Sequence, residues 1–238
     1  MANRIIYETK KGVLTITLNR PEKHNCMDWE MLQGLSMGIA EAENNSDIKI
    51  VVIQGAGEKA FSSGADLKLF STLNDEDAKK WVLEGNKLFN RIEDLSQPTI
   101  AVLKGYVIGG GSELALACDF RIGTTSTMFS FPEVISGWLP GWGGMARLKR
   151  LTGEAFSKKL ILLGEKIYAE EAYQFGLLTK KVQPEELEEA LEEYFIKLKK
   201  LKPTVYNLAK KAIRDENRLT TGSDLLYDVL ALKVMGEN

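Results

Sequence analysis

Three consecutive glycines, Gly109 to Gly111, stand between an apolar run and a helix-forming one, and no other stretch restricts the fold so tightly. The run Thr99 to Leu103 predicts a buried strand, and Ser112 to Cys118 predicts a helix. A strand that turns through glycine into a helix gathers free backbone N–H groups at one point, with the positive end of the helix dipole behind them. Such a point suits a phosphate or an oxyanion. Glycine permits positive φ and lets a ligand approach the main chain closely. Glu113 falls in the first turn of the same helix. A tight turn with a dipole-friendly glutamate would use the same residues, so this stretch alone leaves both readings open. The glycines are adjacent, unlike the spaced G-x-G-x-x-G of dinucleotide sites, and no Gly-Lys-Ser/Thr follows as in a P-loop.

The same logic recurs earlier. Lys49 to Gln54 predicts a buried strand, and Gly55 to Lys68 follows it with a glycine-rich turn, Phe61-Ser62-Ser63-Gly64-Ala65-Asp66-Leu67-Lys68. A short helix is expected from about Asp66. Two such turns in neighbouring crossover units can each aim one N–H into a shared crevice; a plain small-residue loop is the alternative. Glu133, after Pro132, reads either as a surface helix-starter or as a third point of the same site. Ser136 to Gly144 is dense in glycine and carries Trp138 and Trp142, which predicts an apolar wall or a loop packed on the core.

Elsewhere the order is strand, helix, strand. Arg4–Glu8 and Gly12–Leu18 predict two strands joined at Lys10-Lys11-Gly12. Asp28 reads as the N-cap of a helix from about Trp29 to Asn44, with Met31, Leu32, Leu35, Ile39 and Ala42 on its apolar face. Asn74 or Asp75 caps a helix over Glu76–Leu95 with Trp81, Val82, Leu88, Phe89 and Ile92 as its stripe. Asp119–Ile122 reads as a short strand, Met128–Phe131 as a short apolar segment before Pro132, and Met145–Leu151 as a helix. From Gly153 helices dominate, with a short strand near Leu178–Val182 and an apolar helix over Ser223–Met235 that predicts burial against something, such as another subunit.

Composition narrows the function. A length of 238 residues fits one large domain, alone or with an appended helical piece. A net charge of −2 gives no footprint for nucleic acid or an anionic membrane. His24, the sole histidine, cannot build a multi-histidine metal site, and no metal is expected; acid–base chemistry falls to carboxylates. Cys26 and Cys118 make no disulfide framework, and without a leader sequence the expected compartment is the cytoplasm. No apolar stretch reaches transmembrane length.

Taken together, Leu18-Asn19-Arg20-Pro21, Phe61 to Lys68, Gly105 to Ala115, Phe131-Pro132-Glu133 and Pro140 to Gly144 with Arg147-Leu148 resemble the crotonase (enoyl-CoA hydratase/isomerase) family. The resemblance runs along nearly the whole chain, and the order of the blocks makes it specific. It implies an α/β fold, a crotonase-like spiral of β-β-α units over residues 1–185, with a helical C-terminal part over 186–238 that forms trimers, often paired into hexamers. It implies an acyl-CoA substrate and no separate cofactor, coenzyme A being part of that substrate. By resemblance, the N–H groups of Ala65 and Gly110 form an oxyanion hole, and Glu113 and Glu133 act as general acid and base. The same resemblance gives Ser63, Ala65, Asp66, Leu67, Lys68 and Gly110 to substrate binding, with Lys68, and less strongly Lys23, for the CoA phosphates. Both glutamates together favour hydration or dehydration over isomerisation, decarboxylation or mere binding. Two features depart from the pattern: the tryptophans at 138 and 142 replace smaller residues, and the sequence stops at Asn238 near where many members continue.

Overall fold

The computed structural model describes residues 3–214, so the helix expected over 223–235 lies outside it. Strands β1 (Ile5–Lys10) and β2 (Val13–Leu18) pair antiparallel around Lys11 and Gly12, at φ 50° and 77°. Two successive positive φ values match the turn to the strand twist. Helix α1 (Trp29–Asn44) starts where the Asp28 carboxylate accepts the Met31 N–H at 2.9 Å, and the five expected apolar residues are buried.

The chain then repeats one pattern. Strands β3 (Ile50–Gly55) and β4 (Ala60–Ser62) precede α2 (Leu67–Phe70) and α3 (Asp75–Asp94). Strands β5 (Thr99–Leu103) and β6 (Tyr106–Ile108) precede α4 (Gly110–Ala117). Strands β7 (Phe120–Thr124) and β8 (Met128–Ser130) precede α5 (Gly144–Thr152) and α6 (Glu154–Leu162). The described chain ends with β9 (Lys166–Tyr168), α7 (Ala169–Gln174), β10 (Lys180–Val182), α8 (Leu187–Leu198) and α9 (Pro203–Arg214).

The first strand of each pair joins a sheet of order β1-β2-β3-β5-β7-β10, and the second joins a sheet of order β4-β6-β8-β9. Both runs, β3-β5-β7 and β4-β6-β8, are parallel. Each turn of the chain therefore advances both sheets by one strand, which is the expected spiral of β-β-α units. The inner strands β2, β3, β5 and β7 of the six-stranded sheet are covered on both faces, while the edge strand β1 is largely exposed. Leu14, Ile16, Val51, Ile53, Ala101 and Leu103 meet α1, α3 and α4, while Val13, Ile50, Val52, Ile100 and Val102 lie under Leu187, Ala190, Leu191 and Leu198 of α8. No helix among the described residues is long and apolar enough to cross a membrane.

Strands β4, β6, β8 and β9 escape the sequence reading, each being three residues long and too short to show a period. The α3 stripe needs one correction. Val82 is 38% exposed. Gly85 lies on the inner face instead, pressed so closely on the Trp142 indole that no side chain fits there.

Candidate active site

Because β4 and β6 are parallel neighbours, the turns that leave them lie side by side. Gly64, at φ 88°, has no room for a Cβ: one would sit 2.9 Å from Gly110 N and 2.8 Å from the Ile108 carbonyl. Gly64 O accepts from Met27 N at 2.7 Å and Asp66 N donates to Met27 O at 2.8 Å. Those bonds fix the turn and, by strand alternation, direct the Ala65 N–H between them to the opposite side. The Gly110 N–H is the first of α4 and has no intrahelical acceptor. Neither N–H has a hydrogen-bond partner among the described residues. Two free donors thus stand on adjacent turns at one helix N-terminus.

Glu113, one turn into α4, is 2% exposed. Its Oε1 accepts from Trp142 N and from Gly144 N, at 2.8 Å each. Gly144 must be glycine, since a Cβ would fall 2.6 Å from Glu113 Cγ. Burial pushes the Glu113 carboxyl up to about 7; the charge of Glu133 adds to the rise, and the two N–H donors and Arg147 oppose it. Glu133 precedes the 3-10 turn Val134–Ser136, so the helix-starter reading holds for its backbone. Its side chain does something else. It turns inward beneath Gly109, where a Cβ would lie 2.8 Å from Oε1, and Oε2 is buried with no hydrogen-bond partner. Burial raises its pKa as well. An unpartnered buried carboxylate oxygen is a place for a water or a substrate group. The structure therefore brings both glutamates to the Gly109–Gly110 turn.

The other expected residues spread along the first turn. Ser63 is half-buried, and Leu67, Lys68 and Lys23 are exposed. The Asp66 carboxylate is committed: it caps α2 through Lys68 N and Leu69 N and meets Arg20 Nη1 at 3.1 Å. Trp138 and Trp142 part company. Trp138 is 47% exposed and stacks edge-on against Phe70, whereas Trp142 is buried between Trp81, Phe89 and Gly110.

Sequence reasoning did not single out the Trp142 and Gly144 donors, nor the bracing of the first turn. Arg20, 7% exposed, binds Cys26 O at 3.1 Å, Asp66 Oδ2 at 3.1 Å and Asp28 Oδ2 at 3.0 Å. Asn25, fully buried, accepts from Arg20 N and donates to Ala56 O and Ala60 O. Removing one partner of a buried charge cluster leaves the others unpaired. Arg20→Met is therefore expected to cost about 3–5 kcal/mol in urea unfolding, and an unchanged midpoint would contradict this.

A fold that advances two sheets together, with paired free amides and two buried carboxyls at one turn, defines an enzyme scaffold for a substrate that develops negative charge on an oxygen. The family model for enoyl-CoA hydratase/isomerase matches residues 8–231. The chain is 39% identical over 211 residues to a short-chain-enoyl-CoA hydratase of Clostridium acetobutylicum, covering 89% of this chain and 81% of that one. It is 37% identical over 183 residues to a crotonyl-CoA hydratase of Syntrophomonas wolfei, covering 77% and 70%. The crystal structure of an enoyl-CoA hydratase from Bacillus anthracis superposes with a TM-score of 0.92 at 33% identity, over 99% of this chain and 92% of that one. The chain belongs to the enoyl-CoA hydratase/isomerase family, the crotonases.

Proposed function

We propose that the protein adds water to a 2-enoyl-CoA thioester, or eliminates it in reverse. The observation that carries this reading is the convergence of Glu113 and Glu133 on the Gly109–Gly110 turn beside two free amides. The thioester oxygen accepts from Ala65 N–H and Gly110 N–H. As the water oxygen bonds to C3, the C2=C3 electron pair moves toward the carbonyl and charge builds on that oxygen. Each fixed donor is worth about 3 kcal/mol there. One carboxylate takes a proton from the water, and C2 receives one from the pair. Two carboxyls in one buried site cannot both ionise cheaply, so they hold one proton between them near neutral pH.

In this reading the backbone around Ser63, Ala65 and Leu67 holds the CoA, with Lys68 and, less strongly, Lys23 at its phosphates. Asp66 serves by bracing the turn toward Arg20. No separate cofactor or metal takes part. Assembly as a homotrimer or homohexamer belongs to the same proposal and rests on the resemblance alone.

Crotonyl-CoA is expected to lose its enoyl-thioester absorbance on incubation and to take up one solvent oxygen, measured with 18O-water. Turnover without oxygen uptake would indicate isomerisation. Binding without turnover across several chain lengths would indicate a CoA-ester binding subunit and overturn the proposal.

A further inference from the structure

Arg147 touches neither of the free amides nor either glutamate, yet it is 2% exposed and fully engaged. Its Nη1 donates to Trp142 O at 2.7 Å, its Nε to Glu93 Oε2 at 2.9 Å and its Nη2 to Asn90 Oδ1 at 2.6 Å. The last two acceptors belong to α3. Gly143, at φ 92°, lies against the guanidinium with no space for a side chain. The turn 142–144 therefore has a cation on one side and a carboxylate on the other. Its carbonyl faces Arg147, and its two N–H groups face Glu113. Packing of the Trp142 indole on Gly85, Trp81 and Phe89 anchors the side chain of the turn. The Arg147 hydrogen bonds are the short polar links that fix its backbone to α3; Asn86 of α3 adds a longer one, its Nδ2 donating to Gly141 O at 3.5 Å.

We propose that Arg147 is a positioning residue: by tying the Trp142 carbonyl to α3, it sets the two main-chain donors that orient the Glu113 carboxyl. Three acceptors in three directions suit the planar guanidinium fork, and a lysine ammonium cannot reproduce them from one point. A second effect follows from charge. Two charged side chains act on Glu113: Glu133, from the segment after β8, raises its pKa, and Arg147, from α5, lowers it. On α3, Glu93 pairs with Arg147 and also with Arg150 and Arg214; β4 and β6 present Ser62 and Val107 rather than charges. Removing the guanidinium takes away the one charge that lowers the Glu113 pKa and loosens the two N–H donors that also lower it, so the carboxyl holds its proton to higher pH.

The inference rests on the hydration reading for its kinetic arm only. With crotonyl-CoA, Arg147→Gln is expected to lose about 10- to 100-fold in kcat, the usual size for a lost supporting contact, while KM changes less than about threefold. The limb of kcat/KM set by the glutamate pair is expected to move up by about one pH unit, whichever glutamate acts as base. Arg147→Lys should return the limb toward its original position but leave kcat low. Glu93→Gln keeps the Arg147 cation but removes the carboxylate that anchors it and that also pairs with Arg150 and Arg214; it should lower kcat with KM unchanged. An unmoved limb in Arg147→Gln, or a loss carried by KM, overturns the proposal. If that variant does not fold, wild-type kcat in both Arg147→Lys and Glu93→Gln overturns it. An infrared titration of the Glu113 carboxyl, assigned with Glu113→Gln, needs no substrate. It reads the same upward shift even should crotonyl-CoA prove not to be turned over, so the two ideas fail separately.

Discussion

Replacing Glu113 or Glu133 by glutamine is expected to cut kcat by about 10²- to 10⁴-fold each, with CoA affinity close to that of the parent. Glutamine keeps the volume and the Oε1 acceptor, so Trp142 N and Gly144 N retain their partner at position 113. What is lost is the exchangeable proton. Because the two carboxyls share one proton, the double variant should lose little more than the worse single one, as groups acting as a unit do. Steady-state kinetics with crotonyl-CoA, and binding of a non-reactive saturated acyl-CoA, check both halves. Turnover within threefold of wild type in either variant would remove that residue from the mechanism.

The same substitution carries a stability signature. The Glu113 carboxyl is raised from an ordinary 4.5 to about 7, first by burial. An acid with a raised folded pKa is favoured in the fold while protonated. Its penalty is absent below about pH 4.5, grows as pH rises toward 7, and is complete above it. Glutamine never ionises. Glu113→Gln is therefore expected to be more stable than wild type at pH 8, on the order of 3 kcal/mol, and no more stable at pH 4. Urea unfolding at the two pH values reads the difference.

The sequence reading and the structure agree where the determining interactions are local. Asp28 announces α1 because a cap acts over three residues, and Thr99–Leu103 announces β5 because a strand buried on both faces is apolar without alternation, here from Ile100 to Leu103. Gly109 to Gly111 marks the anion point because only glycine tolerates Gly109 at φ 53° and ψ −124°. The supports of that point were illegible for the converse reason. The Glu113 donors come from 29 and 31 residues away, and they are main-chain groups that any residue owns. Arg147 lies 54 residues from Glu93 and 57 from Asn90, so its place on α5 gives no sign of the contacts it makes. Trp138 and Trp142 read alike in sequence, and only the glycines at 85 and 110 decide which indole is buried.

Gly110→Ala is expected to lose about 10²- to 10³-fold in kcat, the cost of one displaced oxyanion donor. The backbone conformation is not the obstacle, since Gly110 opens α4 with helical geometry. The obstacle is the Trp142 ring, which fills the space where a Cβ would stand, with Met27 Cε 3.4 Å away on another side. Trp142 cannot yield freely, because Gly85, Trp81 and Phe89 back it at ring separations of 5.3 Å and 5.2 Å for the two aromatics. Either α4 shifts and takes the Gly110 N–H off the thioester oxygen, or Trp142 shifts and takes its own N–H off Glu113. Both routes strike the chemistry. Overpacking should add about 1–3 kcal/mol of destabilisation in urea. Pairing the change with Trp142→Phe removes the crowding ring and should restore part of both losses. If Gly110→Ala keeps kcat within threefold while its urea midpoint falls, the Gly110 N–H is not a donor to the reacting oxygen.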